Sequence, residues 1–345
     1  MSSLNVAVVG LGMWGQNHAL SFADYHKSQL VAVCDLNSQR AEEVARQYGC
    51  RAVLDYRELA EDPGIDAVSI ATPDAQHFDV TKTMLQAGKH VFLEKPFVTS
   101  VDQGVQLVEA AKSAGVQAMV DFQLRWNPSY QIIKEQLLSG ALGDPVMGYI
   151  RLSDAIEVAL KWLSWAAESG PQWFLMPHIA DLMCWFFDAV PESVYAVGHR
   201  GVLASKGVDT YDAIQSLVRF PKGGFATLEV SWIVPNGTAS VTDCQMGLYG
   251  TTGRIEFDQD YSGLEITDEH KISYPWVPLG RRNMFGRLDS FIYEPMRTFV
   301  DCVLDGRDVP ASFADGLVNT AIIDACLRSI NTGKPEALTG LGVLS

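Results

Sequence analysis

The chain has no uncharged apolar run of membrane-spanning length, and none of its six cysteines falls in a CxxC or Cys/His metal spacing. The first absence argues against a helical membrane span. The second concerns Cys34, Cys50, Cys184, Cys244, Cys302 and Cys326, and it favours free thiols in a reducing compartment over a disulfide framework, with no metal site expected. Basic residues are also scarce. The 26 Lys and Arg stand against 41 Asp and Glu, and the net charge of -15 repels phosphate backbones and anionic lipid. Nucleic acid and membrane surfaces are therefore poor partners. Internal repeats and low-complexity tracts are missing, as is a basic, apolar leader before the first strand, so a cytoplasmic protein is expected.

What is present is a long chain of ordinary globular character: 345 residues, 48% hydrophobic and 19% charged, enough for two domains with substantial cores. An apolar strand over 4–9 runs directly into Gly10-Leu11-Gly12-Met13-Trp14-Gly15, and a helix is expected over 17–25. In that context GxGxxG has a physical reading. Gly10 makes the turn, Gly12 lets a pyrophosphate approach the backbone, and Gly15 lets the helix pack on the strand, with Met13 and Trp14 between them at the same site. A second strand ends at Asp35, an acid placed to accept hydrogen bonds from ribose hydroxyls and to repel a 2′-phosphate. NAD is expected, with NADP as the alternative because Arg40 lies close by.

Strands and helices keep alternating to about residue 122, which predicts right-handed crossovers and a doubly wound parallel sheet. The strand 90–93 stops at Glu94-Lys95-Pro96, and a strand's carboxyl end is where open α/β sheets place their chemistry. Strands one, four and five should be neighbours. The Gly10 loop, the Thr72-Pro73 turn and Glu94-Lys95 then share one crevice, with His77 on the first turn of a helix at its rim. His77 reads equally as a helix-start residue or as a cofactor contact.

Beyond 122 the texture changes. A domain over 123–345 is expected, α+β in class, with a largely antiparallel open sheet whose hairpin signals are Pro221-Lys222-Gly223-Gly224 and Thr252-Gly253. Helices at about 289–332 should return towards the first domain. One sheet face needs a cover, and a second copy of the chain in a homodimer or homotetramer is the simplest one.

Gly10-x-Gly12-x-x-Gly15, Thr72-Pro73-x-x-x-His77, Ala87-Gly88-Lys89-His90-Val91 and Glu94-Lys95-Pro96 together resemble the Gfo/Idh/MocA oxidoreductases. Arg125-Trp126-Asn127-Pro128, His178-x-x-Asp181, Gly250-Thr251-Thr252-Gly253 and Ala325-x-x-x-Ser329-x-x-x-Gly333 extend the resemblance over nearly the whole chain. It implies a dehydrogenase that uses NAD(P) to move a hydride to or from a secondary alcohol or ketone of a sugar, polyol or related small molecule. It also implies that the lysine of the EKP stretch, Lys95, and a histidine on a second-domain helix, His178, face the substrate. The family's usual pattern has an aspartate one helical turn before that histidine, where this chain has Phe174.

Oxidising an alcohol needs a proton acceptor beside the hydride acceptor. His178 suits that task, and Lys95 could steady the alkoxide or exchange the proton itself. Asp181, Arg125, Trp126, Lys161 and Trp162 are the expected substrate contacts, with aromatic faces stacking on sugar rings. Taken alone, His178 reads as a core histidine, and Lys95 reads equally as the ion-pair partner of Glu94 or as a functional lysine. Two further functions stay open: a non-catalytic NAD-binding sensor, which Phe174 favours, and an enzyme that uses NAD transiently for epimerisation or glycoside cleavage.

Overall fold

The computed structural model describes residues 3–238, 240–259, 266–267, 272–273, 282–284 and 287–344. The chain divides into two compact units. One is built on the chain up to Gln123 with a return over Arg282–Thr320; the other is built on the chain from Leu124, with a return over Ala321–Thr339.

The first unit alternates β1 (Leu4–Val9), α1 (Met13–Asp24), β2 (Ser28–Cys34), α2 (Ser38–Tyr48), β3 (Arg51–Val53), α3 (Arg57–Glu61), β4 (Ala67–Ile70), α4 (His77–Gln86), β5 (His90–Leu93), α5 (Val101–Ala114) and β6 (Ala118–Val120). The strands form one parallel sheet in the order β3-β2-β1-β4-β5-β6. The order reverses between β1 and β4, which is where such sheets open a crevice. The whole of β4 is buried, as expected for a strand covered on both faces.

Two boundaries differ from the sequence expectation, each for a local reason. Helix α1 begins at Met13 rather than 17, so Gly15 lies inside its first turn, where a Cβ would overlap the Gly10 carbonyl oxygen. The stretch after Pro73 starts as a 3-10 turn, Asp74–Gln76, before α4 proper.

The second unit opens with α6 (Pro128–Leu138), β7 (Pro145–Ala155), α7 (Ala166–Ser169), α8 (Pro171–Phe174) and α9 (Met176–Phe187). It continues through β8 (Ser193–His199), β9 (Ala213–Arg219), β10 (Phe225–Val234), β11 (Thr242–Gly250) and β12 (Arg254–Asp258). These strands and the short strand Glu336–Ala337 form a seven-stranded sheet in the order β12-β11-β7-β10-β9-β8 and then Glu336–Ala337. Both expected hairpins are present, β9 with β10 and β11 with β12. The pairing of β7 with β10 is parallel, because the chain between them crosses over through α7 to α9 before returning. Alternation in β9 puts Ile214, Ser216 and Val218 in the core and Gln215, Leu217 and Arg219 in solvent. Tyr149, Tyr195, Val197 and Phe225 are exposed on strands of the same sheet.

The expected helix from 289 begins instead at Glu294, as α10 (Glu294–Asp305), after extended residues Arg287–Asp289 and a 3-10 turn at Phe291–Tyr293. Pro295 explains the start, since proline lacks only a donor that the first helical turn leaves unused. Helix α10 packs on β5, with Phe299 and Phe92 ring centroids 5.6 Å apart. In α11 (Phe313–Thr332) Phe313 packs on Phe97, Thr320 donates to the Val98 carbonyl, and Ser329 accepts from the Ala196 amide at 2.9 Å.

The contact of Gly15 with the Gly10 carbonyl sets a test of this packing. Gly15→Ala should lower stability by about 1–3 kcal/mol through overpacking, read from urea denaturation; a stability equal to the parent would mean that α1 does not approach β1 this closely.

Candidate functional site

Main-chain hydrogen bonds align the carboxyl ends of five neighbouring strands. Gly10 donates to Cys34 O at 2.8 Å, Ala71 to Val9 O at 2.8 Å, Glu94 to Ile70 O at 2.9 Å and Asp121 to Leu93 O at 2.7 Å. Asp35, the glycine loop, Thr72, Glu94-Lys95 and Asp121 therefore stand in a row along one edge of the sheet.

The glycine end of that row is shaped for a dinucleotide. Gly10 has φ +85°, and a Cβ there would lie 2.6 Å from Ala71 O, so no other residue fits the turn. Around Gly12 nothing of the protein lies within 4 Å of a Cβ position. Gly12 is also the N-cap of α1, with no side-chain cap and no acid in the first turn. The amides of that turn thus have no protein side chain to bind, and the helix dipole favours an anion there. Met13 is exposed and Trp14 half-buried beside them. The Thr72 hydroxyl is buried and finds no hydrogen-bond partner among the described residues, which is a second mark of a polar ligand at this edge. Pro73 beside it is exposed.

Asp35 accepts from Leu11 N at 2.8 Å and from Asn37 N at 2.8 Å, which fastens the glycine loop to β2. Arg40 reaches the same carboxylate at 3.3 Å. Acceptor capacity remains for ribose hydroxyls, since a carboxylate offers about four lone-pair sites. His77 is fully buried, with Nδ1 2.7 Å from Pro96 O and Nε2 2.9 Å from Thr72 O. Both ring nitrogens serve main-chain carbonyls, so His77 ties the Thr72 turn to the turn after Lys95. The helix-start reading describes this placement, with α4 beginning at His77.

Lys95 is 7% exposed, and its amide donates to Glu94 Oε2 at 3.0 Å. Glu94 Oε1 lies 3.2 Å from His18 Nε2, and His18 Nδ1 lies 2.8 Å from Ser69 Oγ. The consistent assignment has the Ser69 hydroxyl donating to Nδ1 and Nε2–H donating to Glu94. Asp121 Oδ2 stands 3.7 Å from the same Nε2. Burial alone would raise the Glu94 pKa, but the His18 hydrogen bond and the neighbouring charge of Lys95 hold it below the ordinary value. Burial, reinforced by the Glu94 charge, pushes Asp121 well above the ordinary carboxylate range. The two buried carboxyls are thus pushed in opposite directions, which favours a proton on Asp121 over one on Glu94. His18, Glu94 and Asp121 bring ligand-type atoms within 4.8 Å of one another, close enough to hold a metal ion. The His18–Glu94 separation is that of a hydrogen bond, and proton sharing accounts for the group.

In the second unit, Arg125 and Asp181 meet each other. Nε and Nη2 of Arg125 donate to the two oxygens of Asp181 at 2.9 and 2.6 Å, and both residues are buried. Each charge satisfies the other, so the pair clips the chain after Leu124 to α9 and neither side chain stands open to a ligand as expected. Trp126 is half-buried. Lys161 and Trp162 lie in a one-turn π-helical segment, Val158–Trp162, where exposed Lys161 pairs with Glu157 at 3.6 Å and Trp162 is 50% exposed. An ion pair so exposed contributes little. His178 is half-exposed on the first turn of α9.

A glycine-rich βαβ edge with an acid at the end of β2 and a buried lysine after β5 defines an α/β dinucleotide-binding oxidoreductase unit. Comparisons with known proteins agree. The model of the Gfo/Idh/MocA oxidoreductase family, NAD-binding Rossmann fold, matches residues 4–122, and that of the GFO/IDH/MocA C-terminal domain matches residues 130–256. Inositol 2-dehydrogenase of Acidothermus cellulolyticus is 31% identical, with 97% of this chain and 95% of that protein covered. The scyllo-inositol 2-dehydrogenase (NAD(+)) of Bacillus subtilis is 28% identical over 96% and 95%. A probable dehydrogenase from Thermotoga maritima has a similar structure, with TM-score 0.83, 25% identity and coverage of 97% and 98%. The chain belongs to the Gfo/Idh/MocA family of oxidoreductases, and its first unit is an NAD-binding Rossmann domain.

Three site features escaped sequence reasoning. Asp121 follows β6 just as Glu94 follows β5, so the rule that singled out Glu94 could have found it. His18 lies one turn beyond Gly15, and only the fold shows that this turn faces Glu94. Trp232 on β10 packs on Phe174, a contact between distant segments.

The proton on Asp121 sets a stability test. A folded-state pKa above the unfolded value of about 3.9 means that the unfolded chain ionises Asp121 while the folded chain keeps its proton, so this group costs stability as pH rises past that value. Asp121→Asn removes the cost. Its melting temperature relative to the parent should rise between about pH 4.5 and 7; a difference that stays flat with pH would mean that Asp121 is ionised in the folded protein.

Proposed function

We propose that this protein oxidises a secondary hydroxyl of a sugar or polyol with NAD, or reduces the corresponding ketone. Bound NAD supplies the hydride acceptor at the carboxyl edge of the parallel sheet. His178 takes the hydroxyl proton, and Lys95 steadies the negative charge developing on the oxygen as the hydride leaves. Glu94 and His18 orient Lys95 and do not themselves meet the substrate. The observation that carries this reading is Lys95 itself, a nearly buried lysine that ends β5 two strands from the Gly10 loop on one sheet edge. The inositol dehydrogenases to which the chain is similar supply the substrate class. Phe174 supports a second reading, an NAD-binding sensor without turnover, because a phenyl ring brings no carboxylate to His178.

The six free cysteines suit a cytoplasmic protein, and no helix among the described residues is long and apolar enough to cross a membrane. The apolar groups on the open side of the second sheet, Tyr195, Val197, Leu217 and Phe225, are best covered by a second copy of the chain as a homodimer or homotetramer. Light scattering should then give at least twice the mass of one chain, and Leu217→Lys should lower it; a monomeric parent would contradict the assignment.

Absorbance of NADH with a panel of sugars and inositols tests the main reading. Lys95→Ala should cut turnover by at least about 100-fold while leaving NAD affinity nearly unchanged. Turnover near the parent's would reduce Lys95 to a partner for Glu94, and tight NAD binding without any NADH formation would favour the sensor.

A further inference from the structure

From Gly170 to Met183 every residue is buried except Phe174 and His178. They are four positions apart, and Leu175 between α8 and α9 keeps right-handed helical angles, so the two side chains share one face a turn apart. His178 therefore reaches solvent beside a phenyl ring. That ring is held from two directions. Its centroid lies 5.5 Å from Trp232 and 6.1 Å from Trp165, both at tilted angles near 55°.

Trp232 is fully buried, and its indole Nε1 has no hydrogen-bond partner among the described residues. Its inward neighbours on β10 are Ala226, Leu228 and Val230, all buried. The support behind Phe174 is thus two indole rings and buried aliphatic side chains, a predominantly apolar backing.

We propose that Phe174, braced by Trp165 and Trp232, determines substrate specificity by requiring an apolar edge next to the hydroxyl that His178 serves. The inference rests on the reading of His178 as the proton acceptor and deepens it to a substrate class: ring sugars or polyols in which the neighbouring position is deoxygenated or O-alkylated. A hydroxyl against the Phe174 ring would lose its hydrogen bonds to water and find no replacement, whereas C–H groups stack on an aromatic face. Rejection here works through the polar group left unsatisfied, as it does at any apolar pocket wall.

Matched pairs of probes test the proposal on the full chain with NAD: a hexose against its 2-deoxy and 3-deoxy counterparts, and an inositol against its O-methyl ether. The parent should favour the deoxy or methylated member by about tenfold or more in kcat/KM. Phe174→Leu should keep that order, and Phe174→Asp should reverse it; Phe174→Asn makes the same comparison should the carboxylate not be accommodated. A parent that prefers the hydroxylated members, or a ratio unmoved by Phe174→Asp and Phe174→Asn, overturns the proposal. Calorimetric binding of the same pairs to the NADH-loaded protein separates the two levels. If no probe is turned over but binding favours the deoxy or methylated member in a way that depends on Phe174, the dehydrogenase reading fails and the role of Phe174 stands. If neither turnover nor binding distinguishes the members of a pair, the role of Phe174 fails as well.

Discussion

The hydrogen bond between His18 and Glu94 is the contact on which the candidate active edge depends. It joins the first helix to the end of β5, and through Glu94 Oε2 it fixes the amide of Lys95. Without it one ring nitrogen of a fully buried histidine and one oxygen of a nearly buried carboxylate would lose their hydrogen bond, and the cost of burying unpaired polar atoms would fall on the segment that carries the lysine. Ser69 on β4 and Asp121 after β6 complete the group, so adjacent strands of the sheet contribute to the orientation of one side chain. Keeping the second carboxyl protonated leaves one negative charge in the cluster beside the lysine.

This arrangement explains why the lysine comes from a strand end rather than from a loop of its own. The parallel ladder sets the positions of Gly10, Ala71, Glu94 and Asp121 relative to one another through main-chain hydrogen bonds. Side-chain hydrogen bonds then fasten the turns at those ends, Glu94 holding the Lys95 amide and His77 joining the carbonyls of Thr72 and Pro96. The second unit solves a different problem. It buries a bidentate Arg125–Asp181 pair, a costly element that pays only when both partners remain, and it leaves His178 and Phe174 as the accessible pair on an otherwise buried helical segment.

Much of the first unit was legible in the sequence because its signals are local. The strand at 90–93 has the predicted bounds, and the strand order follows from alternation and handedness alone. Elsewhere the deciding contact was not local. Gly15 reads as the residue that lets the helix pack on the strand, but the start of that helix at Met13 shows only in the fold. Arg125 and Asp181 each look like ligand-binding charges until the fold brings them together across 56 positions of sequence. His77 offered two readings, and only the fold shows its ring nitrogens at the carbonyls of Thr72 and Pro96. The parallel partnership of β7 and β10 carries no hairpin signal, since three helices and two further strands lie between them in the chain.

The central claim is that hydride passes between a substrate carbon and NAD at the edge that Lys95 ends. Its most direct test is isotopic: a polyol or sugar deuterated at the oxidised carbon, incubated with the protein and NAD, with both products examined by mass spectrometry. The account predicts one deuterium in the reduced nicotinamide for each ketone formed. Ketone formed with no deuterium reaching the cofactor would contradict it.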